Sequence, residues 1–216
     1  MDNEKETRKK LLSSAIKEFS EKGYTKASLR NICKEAGVTT GALYFFFEDK
    51  DDLFGSLVDE PLKRIEEMIG EHFSAELDIS KGLDLSELTP TNIASKMGLQ
   101  DDMEVANGII RFIFANKTAF DLLLTRAQGS RYESISDHMV ELVEAHYSKL
   151  YVVMKGYQSK REMTKEDKFI VHWISHDQID IFIHIVTHCK DVKDAEKQMK
   201  NMIAYMIGGW LAVINT

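Results

Sequence analysis

Gly37-Val38-Thr39-Thr40-Gly41-Ala42-Leu43-Tyr44-Phe45-Phe46-Phe47-Glu48-Asp49-Lys50 is the stretch that decides the fold of this chain. Gly37 can stop one helix, Val38 can point into a core, and Thr39 or Thr40 can cap a short helix carrying Ala42 to Phe47. Consecutive aromatics from Tyr44 to Phe47 cannot all be buried there: at about 100° per residue they sweep roughly 300° of the helix. Leu43 and Phe47, spaced i and i+4, form the inward pair. Tyr44, Phe45 and Phe46 are left partly or wholly exposed, either for a partner surface or crowded against the following helix.

Upstream, a helix from about Lys5 to Lys22 carries Leu11, Leu12, Ala15, Ile16 and Phe19 as one apolar stripe, with Gly23 as its left-handed cap. Ser28 can cap a second helix whose inward residues are Leu29, Ile32, Cys33 and Ala36. Together with the Thr39–Phe47 segment this is a helix-turn-helix outline. Downstream, a fourth helix starts near Lys50, with Asp51 and Asp52 at its positive end and Pro61 as an expected kink. Residues 73–100 are less regular and hold a short helix near Thr91–Met97. Further helices are expected at about 101–115, 117–127, 132–157, 164–189 and 192–214, the last capped by Asp191. The fold class is therefore all-α, with about nine helices: a three-helix head at 1–50 and a larger helical domain at 51–216.

Composition agrees. Across 216 residues, 44% are hydrophobic and 29% charged, as in a globular protein, and only two are proline. The net charge of −7 is uneven. Residues 1–50 hold ten Lys/Arg against eight Asp/Glu, whereas the remainder holds eighteen against twenty-seven. A slightly basic head permits nucleic-acid binding without establishing it. The apolar stretch Tyr205–Ile214 is about half the roughly 20 residues of a membrane span. Lys17 and Glu18 interrupt the N-terminal apolar run too early for a signal peptide. A cytoplasmic location is expected, with Cys33 and Cys189 reduced and structural. No nucleophile motif, glycine-rich phosphate loop or cysteine zinc spacing occurs, so neither an enzyme nor a cofactor is expected.

DNA chemistry suits the Thr39–Lys50 segment. Backbone amides opening its helix can meet phosphate oxygens, Gly41 removes a side chain that would hold DNA away, Tyr44 can donate its hydroxyl, and Lys50 adds charge. Thr39, Thr40, Phe45 and Phe46 are placed to touch base edges or thymine methyls. At this point the chain resembles the tetracycline-repressor (TetR) family of bacterial transcription regulators. The anchors are Phe19, Gly23-Tyr24-Thr25, Ile32, Ala36-Gly37-Val38, Gly41, Leu43-Tyr44, Phe47, Lys50 and Leu53-Phe54. The resemblance implies a DNA-binding head and a helical domain that dimerises and holds a small-molecule pocket. It also implies that Thr39, Thr40, Gly41, Tyr44, Phe45, Phe46 and Lys50 meet operator DNA, assisted by Ser28 and Arg30. The chain departs from the family pattern at Phe46, where histidine or another polar residue is common, and at Glu48-Asp49, where neutral or basic residues are frequent. Either the operator contacts are unusually apolar, or Arg30, Lys26 and Arg8-Lys9-Lys10 compensate for those two carboxylates.

The last two helices are broadly apolar. Phe169, Ile170, Trp173, Ile174, Phe182, Ile185 and Val186 are expected along one, and Met202, Ile203, Met206, Ile207, Trp210, Leu211 and Ile214 along the other. Gly208-Gly209 would allow close approach, and a two-fold four-helix contact between protomers follows; burial within a monomer is the alternative. His172/His176 and His184/His188 are i, i+4 pairs, a metal-binding spacing, but each four-residue step rotates about 40°, so the two pairs cannot share one ion. Phe112, Phe120, Met139, His146, Tyr147, Tyr151, Trp173 and His176 offer aromatic walls with polar handles for an effector; ordinary core packing is the alternative. The expected function is a regulator released from its operator by a small molecule. The other reading is a helical metal- or ligand-binding protein with a vestigial head.

Overall fold

The computed structural model describes residues 2–80 and 99–214, so the helix expected near Thr91–Met97 lies outside the described residues. The described elements are helical: α1 (Asp2–Lys26), α2 (Leu29–Ala36), α3 (Thr40–Phe46), α4 (Lys50–Ser80), α5 (Leu99–Ala115), α6 (Lys117–Thr125), α7 (Ile135–Met154), α8 (Lys165–His188) and α9 (Val192–Ile214), with a 3₁₀ turn at Lys160–Glu162. They form two compact units. The first takes residues 1–64 and also 116–135; the second takes 65–115 and 136–216.

In the first unit, Leu11, Ala15 and Phe19 recur every four residues on α1 and are fully buried, together with Ile32, Leu43, Leu53, Phe54 and Val58. Phe54 meets Phe19 edge-on at 5.0 Å between ring centroids, and Tyr24 stacks on Phe19 at 6.0 Å. The expected end of α1 at Gly23 needs correction. Gly23 has φ 71 and ψ 165, a break only glycine adopts readily, but helical backbone resumes through Lys26. The cause is distant in sequence: the Tyr24 amide donates to the Arg126 carbonyl at 2.8 Å, and the Thr25 hydroxyl donates to that of Gln128 at 2.6 Å.

That segment is pinned further along. Arg131 pairs with Asp59 at 3.1 Å, its backbone amide donates to Asp51 at 3.2 Å, and the Tyr132 hydroxyl donates to Asp59. The Tyr132 ring lies 5.7 Å from that of Phe54. Gly55, buried on α4, leaves room for this knot. A Cβ there would stand 2.7 Å from the Tyr132 hydroxyl and 2.8 Å from Asp59 Oδ2. α4 itself runs through Pro61 as one helix, with one fewer backbone donor.

The second unit has two apolar clusters. One joins Ala106 and Ile110 of α5 to Ile185 of α8 and to Ala195, Met199 and Ile203 of α9. The other joins Leu150, Tyr151 and Met154 of α7 to Met163, Val171 and Trp210. A reciprocal cap opens α8: the Asp167 amide donates to Thr164 Oγ1, and the Thr164 amide donates to Asp167 Oδ2. Asp167 also accepts from the Tyr151 hydroxyl at 2.6 Å and from that of Tyr157 at 3.2 Å. At the start of α9, Asp191 accepts from the Asp194 amide at 2.8 Å, as its expected role as cap requires.

Phe169 and Trp173 do not follow the single apolar line expected for α8. They are 69% and 51% exposed, whereas Val171 and Ser175 are buried. A two-residue offset is about 200° of helix, so the two pairs occupy opposite faces. Burial raises the thiol pKa of both Cys33 and Cys189 above the ordinary value. No described helix is long and apolar enough to cross a membrane.

Gly55→Ala is expected to destabilise the protein although alanine favours helices by about 1 kcal/mol. Overpacking against the mutually bonded Arg131 guanidinium, Tyr132 hydroxyl and Asp59 carboxylate costs about 1–3 kcal/mol and outweighs that gain. Chemical denaturation reads the sign; a stabilised variant would show that the knot yields freely.

Candidate nucleic-acid interface

The third helix is short because both its ends are fixed. Gly37 adopts φ 68, ψ 32 at the end of α2, which a side chain would resist. Thr39 then caps α3, its Oγ1 accepting the Ala42 amide at 3.2 Å. Leu43 and Phe47 are both buried, the inward pair the spacing demanded. Tyr44 is 57% exposed and Phe45 71%. Phe46 is half-buried, its ring edge-on to Phe45 at 4.9 Å. Thr39, Thr40 and Gly41 are exposed, and a Cβ on Gly41 would meet only Thr39 Oγ1, at 3.8 Å. Thr40 to Phe45 thus form an open tip.

The supporting polar groups are more structural than their sequence positions suggest. Ser28 caps α2, accepting the Asn31 amide, and its own amide donates to Glu18 Oε1 at 3.0 Å. Glu18 also receives Lys22 Nζ at 2.8 Å and Asn31 Nδ2 at 3.4 Å. Burial alone would raise the Glu18 carboxyl pKa, but the donors from Lys22, Ser28 and Asn31 outweigh it and hold the value below 4.5. Arg30 is exposed on the first turn of α2.

Lys50 is half-buried. Its Nζ donates to the carbonyls of Ala27 at 3.1 Å and Thr25 at 3.4 Å, and sits 4.4 Å from the centre of the Tyr24 ring. Burial lowers its pKa. Lys50 therefore closes the turn after α1 as well as carrying charge. Asp49 has a structural reason for departing from a basic residue: its Oδ1 accepts the Asp52 amide at 2.8 Å, while the Glu48 amide donates to Asp52 Oδ2 at 2.8 Å. These two bonds start α4, and an [ST]-x-x-[DE]-type spacing in Asp49–Asp52 was the signal for them.

The expected pocket residues divide between the units. Phe120 is buried in the first. Phe112, Met139, His146, Tyr147, Tyr151, Trp173 and His176 belong to the second. His146 and Tyr147 adjoin at 5.6 Å, and both Tyr147 and Tyr151 face Trp210, at 5.0 and 6.0 Å. Trp173 is instead exposed.

Sequence reasoning missed the partners of this cluster. Buried His146 bonds Glu76 at 2.7 Å and stacks on Phe73 at 3.9 Å, and His72 lies 3.7 Å from Asp102. Desolvation holds the His72 pKa below 6.5 despite nearby Glu76. Trp210 Nε1, Asn107 Oδ1 and Gln178 Oε1 are buried without a hydrogen-bond partner among the described residues. The His72/Glu76 spacing on one helix was the available signal. Elsewhere, His172 and His176 lie 4.6 Å apart edge-on, with His172 Nδ1 bonded to Glu144, and His184 stacks on His188 at 5.0 Å. Among the described residues no three His, Cys, Asp or Glu are grouped to hold a metal ion.

A glycine-turned helix pair with an outward aromatic tip defines a helix-turn-helix protein. Residues 11–57 match the family described as bacterial regulatory proteins, tetR family. Through that segment the chain is similar to members of the tetR family. It is 48% identical over 52 residues to the HTH-type transcriptional regulator AcrR of Shigella flexneri, a match covering 24% of each chain. The matched segment spans about a quarter to a third of the length of the first curated relatives. Over the whole fold, the chain is similar to a transcriptional regulator from Aquifex aeolicus VF5, with TM-score 0.56, 16% identity, and coverage of 93% of this chain and 99% of that one. It is also similar to NalD, the secondary repressor of the MexAB-OprM multidrug efflux pump in Pseudomonas aeruginosa, with TM-score 0.53, 17% identity, and coverage of 94% and 97%.

Lys50→Ala is expected to lower the thermal midpoint by removing charged hydrogen bonds of about 1–3 kcal/mol. An unchanged midpoint would show that the ammonium is structurally idle. A second expectation concerns acid. Because the folded Glu18 pKa is depressed, its contribution is full above the unfolded value near 4.5 and is lost as pH falls through the lower folded value. Glu18→Gln should therefore flatten the acid limb of a stability–pH profile; identical limbs would contradict this.

Proposed function

We propose that the protein is a cytoplasmic, homodimeric transcriptional regulator that represses by binding a pseudo-palindromic operator and is released by a small-molecule effector. The observation that carries this reading is the exposed α3 tip, with Tyr44 and Phe45 turned outward from a head that buries Leu43 and Phe47. Its contacts are proposed to come from Thr39, Thr40, Gly41, Tyr44, Phe45, Phe46 and Lys50, with Ser28 and Arg30 beside them. The head of AcrR, a named transcriptional regulator, shares nearly half its residues with this one over the matched segment.

Dimerisation is supported by α9. Asn201, Ala204, Tyr205, Gly208, Gly209 and Ala212 are all exposed, recur at helical spacing and carry no charge. Exposed Trp173 and Phe169 on α8 extend the apolar surface. Two copies of this face would form a four-helix contact, setting two α3 helices in successive major grooves about 34 Å apart. The effector site is proposed to lie in the second unit, where Phe73 stacks on His146 and Tyr147 adjoins Trp210, whose buried indole N–H has no hydrogen-bond partner among the described residues. To empty a nearly full operator, an effector must favour the released state by about 5.5 kcal/mol. α4, with residues in both units, is the proposed route.

Tyr44→Ala should abolish retention of duplexes selected from a randomised pool while leaving the circular-dichroism spectrum intact; undiminished retention would overturn the interface. For the dimer, Gly209→Arg is the direct test, since nothing lies within 4 Å of a Cβ built there. The variant should sediment as a folded monomer, and a dimer of unchanged affinity would place the contact elsewhere.

A further inference from the structure

Sequence-specific duplex recognition ordinarily relies on side chains that make paired hydrogen bonds: Arg or Lys to guanine, Asn or Gln to adenine. Between Val38 and Asp49 this chain has none of the four. The polar groups around the tip are largely committed within the head. Thr39 Oγ1 accepts the Ala42 amide, and Lys50 Nζ is turned onto the Thr25 and Ala27 carbonyls. Asn31 Nδ2 donates to Glu18, Lys17 Nζ is paired with Glu35 at 2.7 Å, and Asp49 caps α4. What the tip offers instead is apolar. Phe45 is 71% exposed, and the Phe46 ring stands edge-on behind it at 4.9 Å with an interplanar angle of 88°.

In the major groove the base pairs present one apolar group, the C5-methyl of thymine. An exposed phenyl ring held by a second ring matches that group and gives nothing to a carbonyl or amino edge. We propose that Phe45, braced by Phe46, is the specificity-determining residue of the head and reads thymine C5-methyl groups in each operator half-site. The phosphates set position and the methyls set sequence. This proposal rests on the duplex-binding reading above and adds to it the identity of the base feature recognised.

The test uses the full chain and duplexes selected from a randomised pool, with each thymine of the recovered site replaced in turn by deoxyuridine, which lacks only the methyl. At one or more positions in each half-site, affinity should fall about fourfold per methyl removed, the value of one buried carbon. Phe45→Ala should bind the thymine and uracil duplexes equally, and Phe45→Leu should keep part of the discrimination. Measurement at low salt, where phosphate contacts strengthen, keeps the weaker variants within range. Indifference to every uracil, or discrimination undiminished in Phe45→Ala, would overturn the proposal while leaving DNA binding intact. Recovery of no duplex at all would instead sink the duplex-binding reading, and this proposal with it.

Discussion

The edge-on contact between Phe19 and Phe54 is the constraint on which the head depends. Both rings are fully buried, one on α1 and one on α4. Tyr24 closes the group from the last turn of α1, just past the Gly23 break, and Tyr132 reaches Phe54 from a segment far along the chain. Against α1 and α4, α2 and α3 bury Ile32, Leu43 and Phe47. That placement turns the remaining α3 aromatics outward. The exposed Phe45 is thus a result of core packing on the other side of a seven-residue helix.

Much of this was legible in the amino-acid order, and the reason is local. Four aromatics on a short helix cannot share one face, so the split between Leu43/Phe47 and Tyr44/Phe45 follows from helical geometry alone. The Ser28, Thr39 and Asp191 caps are likewise decided within three residues. Long-range bonds were not legible. Gly23 looked like a helix end because its true circumstance, a Tyr24 amide bonded to Arg126, joins residues about a hundred positions apart. The bonds of Lys50 to the Thr25 and Ala27 carbonyls, additional to its charge, depend on how α4 meets the end of α1. On α8, hydropathy put Phe169 and Trp173 on one wide apolar face with Ile185 and Val186, and only the helical phase of buried Val171 and Ser175 separates them.

The second unit follows a different economy. Its two apolar clusters give α5, α8 and α9 their packing, while His72, Glu76, His146 and the Trp210 indole place polarity in the interior. Buried polar groups without partners cost stability wherever they occur. Asp167, in the first turn of α8, shows the opposite case, a carboxylate bonded to the Tyr151 and Tyr157 hydroxyls and the Thr164 amide.

The bonds from Arg126, Gln128, Arg131 and Tyr132 to Tyr24, Thr25, Asp51 and Asp59 bear on modularity. A fragment cut after Arg64 would keep the helix-turn-helix sequence but would strip the Tyr132 ring from Phe54 and leave the Tyr24 amide and the Thr25 hydroxyl without their acceptors. Chimeras that graft this head onto another sensor domain must therefore carry residues 116–135 with it. The transplantable piece is discontinuous.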